Sequence, residues 1–243
     1  MKRFVKCNRK DSIKMIKSPH FLDMVQYDRL CDAVEVMHKN NVAMPVMTNH
    51  EKPIPTIITA AQKGVDFSFS SEEANRLVLA FQGSGANIKR WKSNFEPDLI
   101  KNPEYHDGFA DAALLFKEYA CSKAEAALVK GKELVVEGYS RGGGIAIFIA
   151  MHLYSEFKKY VHLTTFGSPR VLGEAYRDKF NKMNIHYDNV RNHKDPVTYA
   201  GAPIFKNLGY IKELPIPAKW NLPWKMIHRH TGYYENIKRL TTV

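Results

Sequence analysis

The sequence predicts an α/β protein in which a mostly parallel central sheet carries helices on both faces. Three observations support this. Apolar runs of strand length alternate with longer runs of helical period, and these runs stop at Gly, Ser and Asn clusters. The 243 residues are 44% hydrophobic and 25% charged, enough apolar mass to fill one sizeable core. Near the N-terminus, Ser18-Pro19 reads as an N-cap with proline at the first helical position. Met24, Tyr27, Cys31, Val34 and Met37 then recur every three to four residues, which predicts an amphipathic helix. Residues 1–60 are therefore expected as an N-terminal helical segment packed on a main domain of residues 61–243, the whole forming one compact unit. Leu77 to Phe81 reads as a buried strand stopped by Gly83 and Gly85. Phe109, Ala112, Phe116, Ala120, Ala124 and Ala127 define a long helix over 109–130. Leu134-Val135-Val136 is a second strand, Gly138 to Gly144 a turn, and Ile145 to Tyr154 a helix. Val161 to Phe166 and Ile185 to Val190 are further strands, with a helix over 174–184 between them. Gly201 to Trp224 holds Pro203, Pro215, Pro217 and Pro223 and is expected to be irregular, with a hairpin around Asn207-Leu208-Gly209. Tyr233 to Leu240 would close the fold as a last helix.

Composition removes several classes. No stretch reaches the roughly 20 apolar residues that cross a bilayer; the best, Leu134 to Tyr154, carries Glu137, Ser140 and Arg141. The basic start MKRFVKCNRK is not followed by an apolar segment, because Asp11, Lys14, Lys17 and Asp23 interrupt every run. Cys7, Cys31 and Cys121 are odd in number, with no CxxC and no Cys/His spacing that would hold zinc tetrahedrally. A cytoplasmic, reduced setting without a metal is the expectation. Lys and Arg number 36 against 25 Asp and Glu, a formal charge of +11 whose field attracts polyanions such as anionic lipid headgroups. No helix-turn-helix, RNA-recognition or zinc pattern organises that charge, so specific nucleic-acid binding is not expected.

Gly138-Tyr139-Ser140-Arg141-Gly142 matches GxSxG, with an apolar strand before it and an apolar helix after it. A serine on so tight a strand-to-helix bend is exposed above the sheet edge. The helix N-terminus beside it brings partial positive charge and N–H groups to the place where an oxyanion would form. A serine hydroxyl needs a base, and on this kind of bend the acid and the histidine follow in that chain order. Asp195 lies in a loop after the strand ending at Val190, and the histidines beyond it are His228 and His230.

These residues resemble the class 3 lipase family over most of the chain from about Leu77 onward. Val78-Leu79-Ala80-Phe81-Gln82-Gly83-Ser84 looks like the family's oxyanion strand, and Trp91 sits where a family Trp would. His106-Asp107-Gly108-Phe109 is similar to its H-x-G-F, Thr165-Phe166-Gly167-Ser168-Pro169-Arg170-Val171 to its T-F-G-S-P-R-V, and Asn192 to Val197 to its acid loop. The resemblance implies an α/β-hydrolase fold and a serine lipase, phospholipase or esterase that uses no metal or organic cofactor. It implies Ser140 as nucleophile and Asp195 as orienting acid. It favours His230 as base, since His230 to Tyr233 resembles the terminal His-x-x-Tyr; His228, at another spacing found among relatives, stays open. The implied oxyanion donors are the backbone N–H groups of Ser84 and Arg141. Trp91, Phe95, Leu99 and Ile100 lie where the family carries a lid over its acyl pocket, among Lys89, Arg90, Lys92 and Lys101. A basic amphipathic lid suits an anionic membrane surface as well as a lipid or small ester substrate. A catalytically silent binding protein of the same fold, and a thioesterase or acyltransferase using the same triad, are the alternatives.

Overall fold

In the computed structural model the strands form one sheet, with the N-terminal strand at one edge beside the last strand in sequence. The structure describes residues 4–6, 56–62, 64–72, 75–81, 83, 102–201, 203–209, 211–216, 227–228, 232–233 and 236. The strands among them are β1 (Phe4–Lys6), β2 (Thr56–Gln62), β3 (Gly64–Glu72), β4 (Arg76–Phe81), β5 (Glu133–Tyr139), β6 (Val161–Phe166), β7 (Ile185–Asn192) and β8 (Ile211–Leu214). Their spatial order is β1-β8-β7-β6-β5-β4-β3-β2. From β4 through β8 to β1 every pairing is parallel, and β2 and β3 add an antiparallel hairpin at the far edge.

The central strands read as continuous apolar runs because neither face meets water: Leu77, Val78, Leu79, Ala80 and Phe81 are all buried, as are Leu134, Val135 and Val136. Three helices cover one face, α1 (Asp107–Val129), α2 (Arg141–Phe157) and α3 (Glu174–Asn181). Helix α2 is buried from Gly142 to Met151 and again at Leu153, which marks it as the central helix. Helix α1 turns Phe109, Ala112, Ala113, Phe116, Ala120, Ala124 and Ala127 inward, and its small alanines allow close approach. At the start of α2 a Cβ on Gly144 would stand 2.5 Å from Phe109 Cδ1, so only glycine admits this packing.

Three expectations are corrected. Helix α2 begins at Arg141, not Ile145, because Gly142, Gly143 and Gly144 are helical and make close contacts rather than a turn. No hairpin forms around Asn207-Leu208-Gly209. Gly209 adopts a left-handed φ of 52° and the chain then enters β8, parallel to β7. Strand β2 runs across residue 60, and Phe4–Lys6 pairs in parallel with β8. Helix α3 ends at Asn181, three residues short of the reading. The helix expected after Ser18 lies outside the described residues. Of the closing helix from Tyr233 to Leu240, residues 233 and 236 are described, and both are helical. No helix among the described residues is long and apolar enough to cross a membrane.

Candidate active site

Ser140 stands between β5 and α2 with φ 53° and ψ −119°, a left-handed conformation that an L-residue adopts at a cost of about 1–3 kcal/mol. The surroundings enforce it. The Ser140 N–H donates to the Phe166 carbonyl at 2.9 Å, and the Gly143 N–H donates to the Ser140 carbonyl at 3.0 Å. A side chain at Gly138 would put its Cβ 2.2 Å from the Gly142 carbonyl oxygen, so the first glycine of the motif lets the helix fold back on the strand. A Cβ on Gly83, two residues beyond β4, would likewise stand 2.7 Å from Tyr139 Cδ1.

Asp195 lies three residues beyond β7 and caps a short 3-10 turn, Pro196–Tyr199. It is fully buried, and every contact on its carboxylate is a donor. Oδ1 accepts from the Val197 N–H at 3.0 Å, and Oδ2 accepts from the Tyr233 hydroxyl at 2.6 Å. The His228 Nδ1 lies 3.1 Å from Oδ1 and 2.9 Å from Oδ2. On the far side of the ring, His228 Nε2 is 2.8 Å from Ser140 Oγ. A carboxylate only accepts, so Nδ1 carries the proton and Nε2 is left to accept from the serine hydroxyl.

The imidazole is held from three directions. The Tyr139 hydroxyl donates to the His228 carbonyl at 2.5 Å, and the Tyr139 ring stacks on the imidazole at 5.3 Å between centroids. Asn192 Nδ2 donates to the Ile227 carbonyl at 2.7 Å, and Asn236 Nδ2 donates to Asn192 Oδ1 at 2.8 Å. The Tyr233 hydroxyl also accepts from the Asn192 N–H at 3.0 Å. Burial, then the charge of Asp195 and the hydrogen bond to it, push the Tyr233 phenol well above its ordinary pKa, so it stays a donor. Gly167, at φ 59°, leaves room for the whole group: a Cβ there would lie 3.0 Å from both Asp195 Oδ2 and the Tyr233 oxygen, and 3.1 Å from His228 Cε1.

The imidazole that meets Ser140 is thus that of His228, the base that the sequence reading held as the alternative to His230. The physical reason is that Tyr233 bonds the acid, Asp195, and its distance along the chain does not say which ring reaches the serine. His230 itself lies outside the described residues, as do Ser84, Trp91, Phe95, Leu99 and Ile100. Arg141 opens α2 directly after the serine, with its guanidinium 5.7 Å over the Phe109 ring. His106 is buried as the N-cap of α1, its carbonyl accepting from the Phe109 and Ala110 N–H groups. The sequence reading did not assign Tyr139, Gly167, Asn192, Val197 or Asn236 to the site. A glycine directly after the apolar run Val161 to Phe166 was the sequence signal able to mark Gly167, whose φ is 59°.

A serine on a positive-φ strand-to-helix bend, joined through an imidazole to a buried carboxylate above a parallel sheet, is the arrangement of α/β-hydrolases with a Ser-His-Asp triad. The family model for lipase (class 3) matches residues 78–203, just over half of the sequence, and the chain belongs to that family. Solved structures share the fold at low identity. The native Rhizomucor miehei lipase propeptide complex is 20% identical with a TM-score of 0.57, covering 69% of this chain and 58% of that one. A triacylglycerol lipase described as having a serine protease triad at its catalytic centre is 21% identical, with a TM-score of 0.58 and 66% of each chain covered. The lipase of Rhizopus microsporus var. chinensis is 18% identical, with a TM-score of 0.53, covering 67% of this chain and 61% of that one. The chain therefore spans about three fifths of the length of several of the lipases it matches. No curated protein matches it by sequence.

Proposed function

We propose that this protein hydrolyses carboxylic esters of lipids through an acyl-enzyme on Ser140. The observation that carries the reading is the unbroken hydrogen-bonded line from Ser140 Oγ through the His228 ring to Asp195. His228 Nε2 takes the hydroxyl proton as Oγ attacks the ester carbonyl, then delivers it to the departing alkoxide oxygen, leaving the acyl group on serine. A water then gives its proton to Nε2 as it attacks the acyl-enzyme, and the acid leaves as Oγ regains the proton. Asp195 accepts from Nδ1 throughout and stabilises the imidazolium. The backbone N–H groups of Arg141 and Ser84 would hold the oxyanion, each contributing about 3–4 kcal/mol in the transition state. Trp91, Phe95, Leu99 and Ile100 would cover the acyl chain, and the lysines and arginines among them would meet anionic headgroups at a membrane surface.

The test is labelling with a fluorophosphonate, together with hydrolysis of acyl esters of graded length presented on neutral and on anionic vesicles. Wild type labels and turns over, faster on the anionic surface, whereas Ser140→Ala neither labels nor turns over. His228→Ala and Asp195→Asn lose about 10³-fold or more in kcat/KM, and His230→Ala stays near wild type. Labelling that survives Ser140→Ala, or loss confined to His230→Ala, defeats the assignment.

A further inference from the structure

At the end of β6 and β7 away from Ser140, three side chains of metal-ligating type meet on one face of the sheet. His162 and His186 are Cα partners across the two strands, and Asp188 follows His186 by two residues, so the pleat places all three on the same side. One ring nitrogen from each histidine and one carboxylate oxygen all lie within 4.8 Å of one another. His162 Nε2 is 3.7 Å from Asp188 Oδ2, and His186 Nε2 is 3.5 Å from Asp188 Oδ1. A tetrahedral ion with bonds of about 2.0–2.1 Å sets its ligand atoms roughly 3.3–3.4 Å apart, so both nitrogen–oxygen pairs stand close to the required edge. The two histidines meet different oxygens of the carboxylate, and His186, whose side chain is half exposed, has room to turn toward a shared ion.

We propose that His162, His186 and Asp188 bind a divalent first-row transition ion of the zinc class, with the fourth position open to water. Two imidazoles and one carboxylate suit Zn²⁺, Co²⁺, Ni²⁺ or Cu²⁺, whereas Mg²⁺ and Ca²⁺ require a fuller set of oxygens. Lys212 Nζ, 2.6 Å from Asp188 Oδ1, is the competing cation. Its side chain is 36% exposed and flexible, and a partly exposed ion pair of this kind is weak enough for a three-ligand ion to displace. The site is separate from the triad. His162 precedes by four residues the Phe166 whose carbonyl holds the Ser140 N–H, which is about 13 Å along a strand. An ion there would staple β6 to β7 at the far end of the sheet and take no part in ester chemistry.

The test uses the full-length protein stripped of metal by chelation and titrated with Zn²⁺ in a calorimeter, with Mg²⁺ as a parallel arm and circular dichroism to confirm folding. Wild type takes up one Zn²⁺ and no Mg²⁺ at the same concentrations, and Co²⁺ gives the visible absorption of a tetrahedral complex. His186→Asn and Asp188→Asn, each retaining a native spectrum, weaken Zn²⁺ binding by at least about 100-fold, since loss of a ligand costs no less than loss of its supporting partner. Lys212→Met strengthens binding because the rival cation is gone. Zinc bound equally by wild type and His186→Asn, as it would be at His228, overturns the proposal. So does a wild type that binds none, or weaker binding in Lys212→Met.

Discussion

The Tyr139 hydroxyl bonds the main chain of the histidine it stacks on, so one residue both fixes the height of the imidazole and covers its face. Because it acts on Ser140 through His228, it is a positioning residue. Tyr139→Phe keeps the ring and removes this one hydrogen bond to the His228 carbonyl, at about 1–1.5 kcal/mol. The expected result is a kcat about 5–10-fold below wild type with KM unchanged, read by steady-state kinetics on a soluble ester; a rise in KM alone would assign Tyr139 to substrate contact instead. At this scale Ser140 and Asp195 were legible as candidates, because a strand-bend-helix pattern and a chain order each constrain one residue. The choice between His228 and His230 was not legible. Two residues apart near the end of the chain, they differ only in how the last segment docks, and that depends on Tyr233, Asn192 and Asn236 finding one another across 41 and 44 residues of separation.

The bend between β5 and α2 shows how an element acquires a site through what its residues lack. A Cβ at Gly138 would overlap the Gly142 carbonyl at 2.2 Å, an obstacle made of backbone that no side-chain rotation relieves. Gly138→Ala should therefore lower unfolding free energy by about 1–3 kcal/mol, as overpacked sites do, and remove fluorophosphonate labelling by displacing Ser140. Gly108→Ala in the first turn of α1 is the control. Among the described residues its Cβ would meet the His106 ring alone, at an ordinary 3.5 Å, and urea unfolding should place it within about 0.5 kcal/mol of wild type. Equal stability for both variants would show that the close approach is not what makes glycine necessary. The same contacts explain where the sequence reading failed on elements. Three glycines in a row look like a turn until their neighbours, Ser168 and Phe109, are known. β8 is four residues long with Lys212 and Glu213 in its middle, too short and too polar for periodicity to register. The β2–β3 hairpin carried a usable signal, the alternation of Val65, Phe67 and Phe69 with polar residues.

At the scale of the molecule, the sheet brings together a serine, an acid and a histidine that are 88 residues apart at their widest, and Tyr233 ties the last segment to the loop after β7. That tie makes stability depend on alkaline pH. In the unfolded chain the Tyr233 phenol ionises near the ordinary 10.0, whereas in the folded protein burial and the adjacent Asp195 keep it protonated well above that value. Between those two values the unfolded state binds fewer protons than the folded state, so the slope of unfolding free energy with pH is negative. The stabilisation is complete below pH 10 and is lost as pH rises, by up to about 1.4 kcal/mol per pH unit for this group. Tyr233→Phe should be less stable near neutrality, because Asp195 and the Asn192 N–H each lose a hydrogen-bond partner. Its decline above about pH 10 should nonetheless be shallower than that of wild type by about that slope. Urea unfolding measured from about pH 8 to about pH 11 separates the two effects, since the first displaces the curve and the second changes its slope. Parallel curves for wild type and Tyr233→Phe would mean that the phenol ionises alike in both states, and that its bond to Asp195 is not maintained in solution.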